Sequence, residues 1–222
     1  MLNDKGRIGV MTSYTILLDG DLHITERLLR FVQGSAVIAA DGAIRFADAL
    51  CVTPALWIGD FDSSDSVLKD KYKHIKHIKY PVAKDKTDGE LAVETALDMG
   101  ADRIILCGAL GGRRTDHALF HMTYALSLAE KGIEVVLTSG HEEAYPIVSG
   151  AYSFDLPTNS IFSIIGLTEL NALTLRGCDW PLENKDVEFG SSLTLSNRVC
   201  GTFQLNLGCG KAMLLASLPV ES

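Results

Sequence analysis

The 222-residue sequence lacks the features that mark several large classes of protein. No apolar run reaches the roughly 18 residues that a transmembrane helix needs, and the N-terminus has no signal-peptide pattern. The formal net charge is −8 at pH 7 without an offsetting Lys/Arg stripe, which argues against nucleic acid as a partner. The five cysteines show no C-x-x-C spacing and indicate buried free thiols. We therefore expect a cytoplasmic protein that binds neither membranes nor nucleic acids.

Short apolar runs alternate with helical patterns over the first two thirds of the chain, which predicts βαβ units and a mainly parallel sheet. Predicted strands cover residues 14–18, 36–40, 56–58, 74–80, 103–107 and 134–138. Predicted helices cover residues 25–33, 88–99 and 115–131, with Thr87 as N-cap of the second. Beyond residue 140, short strands at 152–154, 160–165, 172–175, 192–195, 203–207 and 212–216 are typical of an antiparallel β-sandwich. The sequence thus predicts an α/β domain over residues 14–140 and a β-sandwich domain over residues 150–218.

Acidic side chains collect in the loops that follow the predicted parallel strands. Four loops carry them: Asp41 after the second strand, Asp60 and Asp62 after the third, Asp85 and Asp88 after the fourth, and Asp116 after the fifth. The carboxyl ends of parallel strands share one edge of a sheet, where ligands bind. Clustered carboxylates repel each other unless a cation offsets them, and Mg²⁺ takes oxygen ligands while keeping positions for substrate phosphates. The sequence therefore predicts a magnesium site at this edge, whereas a D-x-D pair alone is also typical of a solvated loop.

A glycine-rich turn follows the fifth predicted strand. Gly111 and Gly112 lie in this turn, and two arginines come directly after them. Backbone N–H groups next to a helix N-terminus can hold phosphate, and arginine adds bidentate contacts. A tight strand-to-helix turn without a ligand is the other interpretation. The turn matches neither a Walker A loop nor a Rossmann fingerprint. His117 and His121 share a face of the following helix, but no third ligand nearby indicates zinc.

In their order along the chain, these motifs resemble those of the thiamine pyrophosphokinase family. The resemblance rests on DGA at 41–43, GDFDS at 59–63, KDKTD at 84–88, GGRRTDH at 111–117 and GSSLTLSN at 190–197. It implies an α/β catalytic domain followed by a β domain, and a homodimer that binds thiamine between the two kinds of domain. It also implies transfer of a pyrophosphoryl group from ATP to thiamine, with Mg²⁺ as cofactor and with thiamine diphosphate and AMP as products.

The resemblance also implies a role for individual residues. The catalytic set would be the Mg²⁺ carboxylates Asp60, Asp62 and Asp88, with Arg114 and Asp116 as the R-x-D pair. The nucleotide and its phosphates would be bound by residues from three regions: Asp41, Gly42, Asp85, Thr87, Gly111 and Gly112. Thiamine would contact residues of the β domain: Trp180, Thr194, Ser196 and Asn197. A position in the sandwich core is a second interpretation for Trp180.

Three positions depart from the family pattern. Lys86 stands where the family usually has glutamine, and Asp19 stands where the first strand commonly ends in Asn-Gly, which makes Asp19 a weak nucleotide-site candidate. One extra residue separates the glycine pair from Asp116. Counting back from Asp116, we take Arg114 rather than Arg113 as the family's arginine.

Three rival functions remain compatible with the motifs. A related pyrophosphokinase could act on a hydroxymethylpterin, although T-x-S-N in the β domain favours thiamine. The DFDSS segment resembles the D-x-D-x-[ST] motif of phosphatases, with Asp60 as a covalent nucleophile. That motif normally follows the first strand, whereas here it follows the third. A binding protein that senses thiamine or nucleotide would not need a cluster of metal-binding carboxylates.

Overall fold

The computed structural model of the chain describes residues 11–61, 66–80 and 85–219. The parallel part contains β1 (Ser13–Leu17), α1 (Glu26–Val32), β2 (Ala36–Ala40), a 3₁₀ helix (Asp41–Phe46), β3 (Leu56–Gly59), α2 (Ser66–Lys71), β4 (Lys76–Lys79), α3 (Asp88–Asp98), β5 (Arg103–Cys107), α4 (Thr115–Ala129) and β6 (Glu134–Thr138). The antiparallel strands are β7 (Glu142–Ile147), β8 (Gly150–Phe154), β9 (Ile161–Gly166), β10 (Leu170–Cys178), β11 (Leu182–Val187), β12 (Asn197–Leu207) and β13 (Ala212–Ser217).

The first six strands form a parallel sheet in the order β4-β3-β2-β1-β5-β6. β2 and β5 are buried from their second residue onward, as expected for strands covered on both faces. One face packs against apolar residues of α3 and α4, and the other packs against α1 and the 3₁₀ helix. The predicted strands at residues 36–40 and 103–107 and the predicted cap at Thr87 are confirmed.

The sheet continues beyond β6, where the sequence predicts a separate sandwich. β7 pairs antiparallel with β6, and β13 and β9 extend the same sheet. A second layer has the order β11-β10-β12-β8. β12 belongs to both layers, because Asn197 and Arg198 pair with β9 while later residues pair with β8 and β10. The fold is therefore a mixed α/β fold with one large sheet.

Several local predictions were wrong. Residues 192–195 form a turn rather than a strand, because the Thr194 hydroxyl donates to the Ile164 carbonyl and Ser196 has a positive φ of 56°. Strands β7 and β11 and helix α2 were missed, since their charged residues break an apolar pattern. The cysteines are free, but only Cys107 and Cys178 are buried.

A buried ion pair joins α1 to the antiparallel strands. Arg27 Nε lies 2.6 Å from Glu143 Oε1, and Arg27 Nη2 lies 3.0 Å from Glu143 Oε2. The side chains of Arg27 and Glu143 are 11% and 1% exposed. The Tyr145 hydroxyl also donates to Glu143, at 2.5 Å. Burial lowers the pKa of Arg27, but the hydrogen bond and charge of Glu143 outweigh burial and raise it overall.

Within the described ranges, no helix has both the length and the apolar character needed to span a bilayer.

Candidate active site

A cavity of about 530 Å³ lies over the carboxyl ends of the parallel strands. The cavity lies over the junction of the neighbouring strands β1 and β5, where the strand order reverses. From β1, the strands β2, β3 and β4 extend the sheet on one side, and β5 and β6 extend it on the other. Such switch points are where open α/β sheets bind ligands. The residues that line it come from four loops and two helices: Leu18, Asp19, Gly20, Asp21, Ala40, Asp41, Thr87, Asp88, Gly89, Gly108, Ala109, Gly111, Gly112, Arg113, Arg114, His117, Ala118 and His121.

The loops after β1 and β5 touch through their backbones at the floor of this cavity. A Cβ atom on Gly20 would lie 2.2 Å from the Gly108 carbonyl oxygen, so only glycine fits there. A Cβ atom on Gly108, which has a φ of +80°, would lie 2.4 Å from the Leu18 carbonyl oxygen. The Leu18 N–H donates to the Cys107 carbonyl at 2.8 Å. These contacts fix the two loops relative to each other.

The N-terminus of α3 forms one wall of the cavity. Thr87 caps this helix: its hydroxyl accepts from the Glu90 N–H at 3.2 Å, and the Glu90 carboxylate accepts from the Thr87 N–H at 2.9 Å. Asp88 is the first residue of the helix and is half-buried. The helix dipole favours a carboxylate at this end. The capping box therefore fixes the backbone from which Asp88 faces the cavity.

The glycine turn before α4 forms the opposite wall. Gly111 and Gly112 both adopt a positive φ, of 71° and 80°. Residues with a side chain disfavour this backbone conformation, so the turn requires glycine. Arg113 and Arg114 follow and also line the cavity. Because α4 starts at Thr115, the positive end of its dipole adds to their charge. This wall is suited to bind an anion.

Arg114 and Asp116 form a bidentate pair at the edge of this wall. Arg114 Nε lies 2.9 Å from Asp116 Oδ1, and Nη2 lies 2.6 Å from Oδ2. Their side chains are each 65% exposed. The hydrogen bond and charge of Arg114 hold the pKa of Asp116 well below its usual range. The two hydrogen bonds orient the guanidinium of Arg114 at the edge of the cavity.

The loop after β2 brings a further carboxylate to the cavity. Asp41 has a positive φ of 43°, and its carbonyl accepts from the Trp57 indole N–H at 2.7 Å. Gly42 lies beside Asp19, since a Cβ atom there would be 3.5 Å from Asp19 Oδ1. Asp19 forms an ion pair with Arg45 of the 3₁₀ helix. Asp19 was predicted only as a weak nucleotide-site candidate and Asp21 was missed, although both come shortly after the end of a predicted strand.

The predicted site residues are thus only partly gathered in one place. Asp41, Asp88, Thr87, Arg114 and the glycine pair line the cavity. The lining does not include Gly42, Asp60, Asp85 or Asp116. Asp62 lies outside the described residues. Where the structure describes the chain, no group of three His, Cys, Asp or Glu side chains is arranged to hold a metal ion.

His117 and His121 also line the cavity; for both, the sequence favours a structural or phosphate-side role over zinc binding. The ring centroids of His117 and His121 lie 6.2 Å apart. His121 Nδ1 lies 3.2 Å from the Ala109 carbonyl oxygen, so it donates there in the matching tautomer. Burial lowers the pKa of His121, which favours its neutral form. His121 therefore tethers the start of the glycine turn to α4.

The predicted thiamine contacts lie together on the antiparallel part, outside this cavity. Asn197 is buried, and its amide accepts from the Trp180 N–H at 3.1 Å and donates to the Trp180 carbonyl at 2.8 Å. Thr194 is also buried, and its hydroxyl donates to the Ile164 carbonyl at 2.7 Å. Trp180 is 61% exposed, so the core interpretation of this residue was wrong. Trp180 and Ser196 are the two members of the set that face solvent.

The chain is similar to known proteins over most of its length. The family model "Thiamin pyrophosphokinase, catalytic domain" matches residues 30–137, and the family model "Thiamin pyrophosphokinase, vitamin B1 binding domain" matches residues 153–208. The thiamine pyrophosphokinase of Bacillus subtilis (strain 168) is 30% identical over 175 residues, which are 75% of this chain and 80% of that protein.

Solved structures show the same fold. A crystal structure of thiamine pyrophosphokinase from Bacillus subtilis superposes with a TM-score of 0.83 at 22% identity, covering 94% of this chain and 100% of that one. The thiamin pyrophosphokinase from Candida albicans gives a TM-score of 0.72 at 16% identity, covering 94% of this chain and 90% of that one. Together, the two family models and the Bacillus subtilis relative show that this chain belongs to the thiamin pyrophosphokinase family.

Proposed function

We propose that the chain transfers a pyrophosphoryl group from ATP to the hydroxyl group of thiamine, giving thiamine diphosphate and AMP. The observation that carries this proposal is the cavity at the switch point, which has one cationic wall and one carboxylate wall. A polyphosphate chain lying against the glycine turn would accept hydrogen bonds from its N–H groups and from Arg113 and Arg114. Transfer of such a group depends mainly on positioning and charge neutralisation.

The donor chemistry of the carboxylate wall fits Mg²⁺. Asp41 and Asp88 both line the cavity and offer oxygen ligands. Mg²⁺ is commonly held by one or two carboxylates together with waters and substrate phosphates, so a set of three protein ligands is not required. Following the family resemblance, we propose that these carboxylates come from the set Asp60, Asp62 and Asp88, of which Asp88 lines the cavity. When bound, the ion would offset the charge of the phosphates beside these carboxylates.

The chain's own residues would orient the reactants and accept one proton. Thr87 and Glu90 hold the first turn of α3, so that Asp88 is positioned at the cavity. The thiamine hydroxyl must lose its proton as its oxygen attacks the β-phosphorus, and AMP leaves with the electrons of the broken bond. A carboxylate of the site, Asp88 or Asp116, would accept that proton. Asp41, Gly42, Asp85, Gly111 and Gly112 remain the proposed nucleotide contacts.

On the acceptor side, Thr194 and Asn197 would act by position rather than by direct contact. Their polar atoms already bind the backbone at Ile164 and Trp180. They therefore hold Ser196 and the exposed Trp180 ring for thiamine, whose cationic ring suits an aromatic face. We further propose two functional domains, residues 14–140 for ATP and residues 150–218 for thiamine. The free thiols support a cytoplasmic location.

A homodimer would bring the two kinds of domain together. Trp180, Leu193, Leu195, Ile161 and Ile165 are between 38% and 61% exposed. They lie on adjoining segments, because the 193–196 turn hydrogen-bonds to β9 and Asn197 binds Trp180. Apolar surface of this kind marks interfaces. Light scattering after size exclusion should report a dimer that Leu195→Asp weakens and that Leu119→Asp, a change at an exposed leucine on α4, leaves intact.

The release of AMP from ATP tests the reaction. We expect AMP with thiamine and Mg²⁺, none without an acceptor, and at least a hundredfold loss of turnover in Asp88→Asn. Asp98→Asn, at the exposed far end of the same helix, is the matched control and should stay fully active. AMP formed with a hydroxymethylpterin but not with thiamine would reject the assignment, as would a trapped aspartyl-phosphate.

A further inference from the structure

A second cavity, of about 560 Å³, lies at the opposite end of the parallel strands. We call it the aromatic cleft and define it by Phe31, Arg103, Glu134, Tyr145, Tyr152 and Phe154. Arg103 and Glu134 are the first residues of β5 and β6, whereas the catalytic cavity lies beyond the last residues of β1 and β5. Its other walls include α1 and the segment from β7 to β8, so it lies where the parallel and antiparallel parts meet. Small-molecule sites favour such junctions and have volumes in this range.

Aromatic rings form one side of the cleft. Phe154 lies between two tyrosines: its ring centroid is 5.1 Å from that of Tyr145 and 5.9 Å from that of Tyr152. The rings of Tyr152 and Phe154 are nearly parallel, at 8°. All three side chains are half-buried and keep part of their surface open to the cleft. A planar ring could pack against them with the geometry that aromatic pairs favour.

Arg103 supplies a positive charge with an unused hydrogen-bond donor. Its Nε lies 3.0 Å from Glu134 Oε1, which is within hydrogen-bonding distance but not in line with the N–H. Among the described residues, this buried nitrogen has no hydrogen-bond partner. Its guanidinium lies over the Phe31 ring, 5.8 Å from the centroid, which limits its freedom. The Arg103 side chain is 29% exposed and lines the cleft, so a ligand carboxylate would meet the outer part of its guanidinium and not the buried Nε.

The other arginine of the cleft is already paired. Arg27 is held by both oxygens of Glu143, and its Nη1 lies 3.6 Å from a carboxylate oxygen of Asp155. Among the described residues, Arg103 forms an ion pair only with Glu134, whose side chain is 51% exposed and able to turn to solvent. The cleft can therefore offer one cation, which matches one negative charge and not two.

We propose that the aromatic cleft is a second ligand site, which binds a planar aromatic carboxylate with its ring on Tyr152 and Phe154 and its carboxylate on Arg103. This assignment is independent of the transfer reaction, since it uses none of the residues that line the catalytic cavity.

Calorimetric titration with 2-naphthoate tests the site, with 2-naphthamide as the uncharged probe of the same shape. A non-hydrolysable ATP analogue and Mg²⁺ are kept saturating, so that the catalytic cavity is filled. Wild type should bind the carboxylate at least tenfold more tightly than the amide. Arg103→Met, which keeps an apolar stem, should abolish that preference. Glu134→Gln removes the competing carboxylate and should tighten 2-naphthoate binding severalfold.

The matched control is Arg30→Met, at an exposed arginine on α1 that is outside the cleft lining. This variant should bind both probes as wild type does. Equal affinity of wild type for the two probes would overturn the proposal, as would an unchanged preference in Arg103→Met. Should Arg103→Met fail to fold, Glu134→Gln decides alone, because unchanged or weaker 2-naphthoate binding in that variant contradicts the role of Arg103.

Discussion

Removing the positive charge of Arg27 should destabilise the fold far more than removing the charge of its neighbour Arg30. Both arginines lie on α1, and both form an ion pair with a glutamate. The Arg27 pair is bidentate and nearly fully buried, with 11% and 1% of the side chains exposed. The Arg30 pair is a single contact of 3.8 Å with side chains 63% and 82% exposed. The two variants thus compare the same chemical change at opposite extremes of burial.

The expected magnitudes follow from solvation. Arg27→Met leaves the Glu143 carboxylate buried without a cation, which costs about 3–5 kcal/mol of unfolding free energy. For a chain of this size, that loss lowers the melting temperature by about 6–20 °C. Arg30→Met removes an exposed helical pair and should cost at most about 0.5 kcal/mol. Urea unfolding followed by circular dichroism measures both values.

A double variant separates the charge effect from lost packing. In Arg27→Met with Glu143→Gln no unpaired charge remains, and the glutamine can still accept from the Tyr145 hydroxyl. Most of the lost stability should therefore return. A cost below about 1 kcal/mol for Arg27→Met would refute the burial argument. A double variant as unstable as Arg27→Met alone would show that packing, not charge, dominates.

Three further changes test the catalytic cavity and the core. Thr87→Ala removes the cap of α3 and should lower the unfolding free energy by about 1 kcal/mol, while Thr87→Ser should restore it. Gly20→Ala should abolish turnover, because the new Cβ atom would lie 2.2 Å from the Gly108 carbonyl oxygen. Gly201→Ala is the control and should stay active, because no atom lies within 4 Å of a Cβ atom at that position. Cys107, whose pKa burial raises to about 12, should resist a disulfide reagent at pH 8 until urea unfolds the protein.

Each of these results has a clear opposite. Equal stability of the alanine and serine variants at the cap would show that the hydroxyl does not hold the helix. An active Gly20→Ala enzyme would mean that the loops after β1 and β5 can separate. Labelling of Cys107 in the native protein, read by peptide mass spectrometry, would show that the sheet opens without unfolding.

The parallel strands and the main helices could be predicted because their causes are local. The sequence AVIAA at β2 is an apolar run bounded by turn residues, which predicts a buried strand. Thr87 and Glu90, three residues apart, match the capping-box pattern that marks a helix N-terminus. β11, with the sequence LENKDV, carries charges because it lies at the sheet edge, and edge positions cannot be read from the sequence alone.

The site was less accessible to sequence reasoning than the fold. Of the predicted aspartates that the structure describes, Asp41 and Asp88 line the cavity, whereas Asp60, Asp85 and Asp116 do not. Which side chain enters a cavity depends on backbone angles such as the positive φ of Asp41. The backbone of Trp180 is held by Asn197, the first residue of β12, and no local pattern indicates this distant contact.

The strand order also dictates when each part can fold during synthesis. One edge of β1, a central strand of the sheet, stays unpaired until β5 has been made, because Ser13 pairs with Arg103. β7 can pair with β6 as soon as it is made, but its other edge stays open until the last strand, since Glu142 pairs with Ser217 near the chain's end. Such distant pairings slow folding and leave strand edges unprotected on the ribosome. A nascent chain that stalls before β13 would therefore be a target for chaperones and for aggregation.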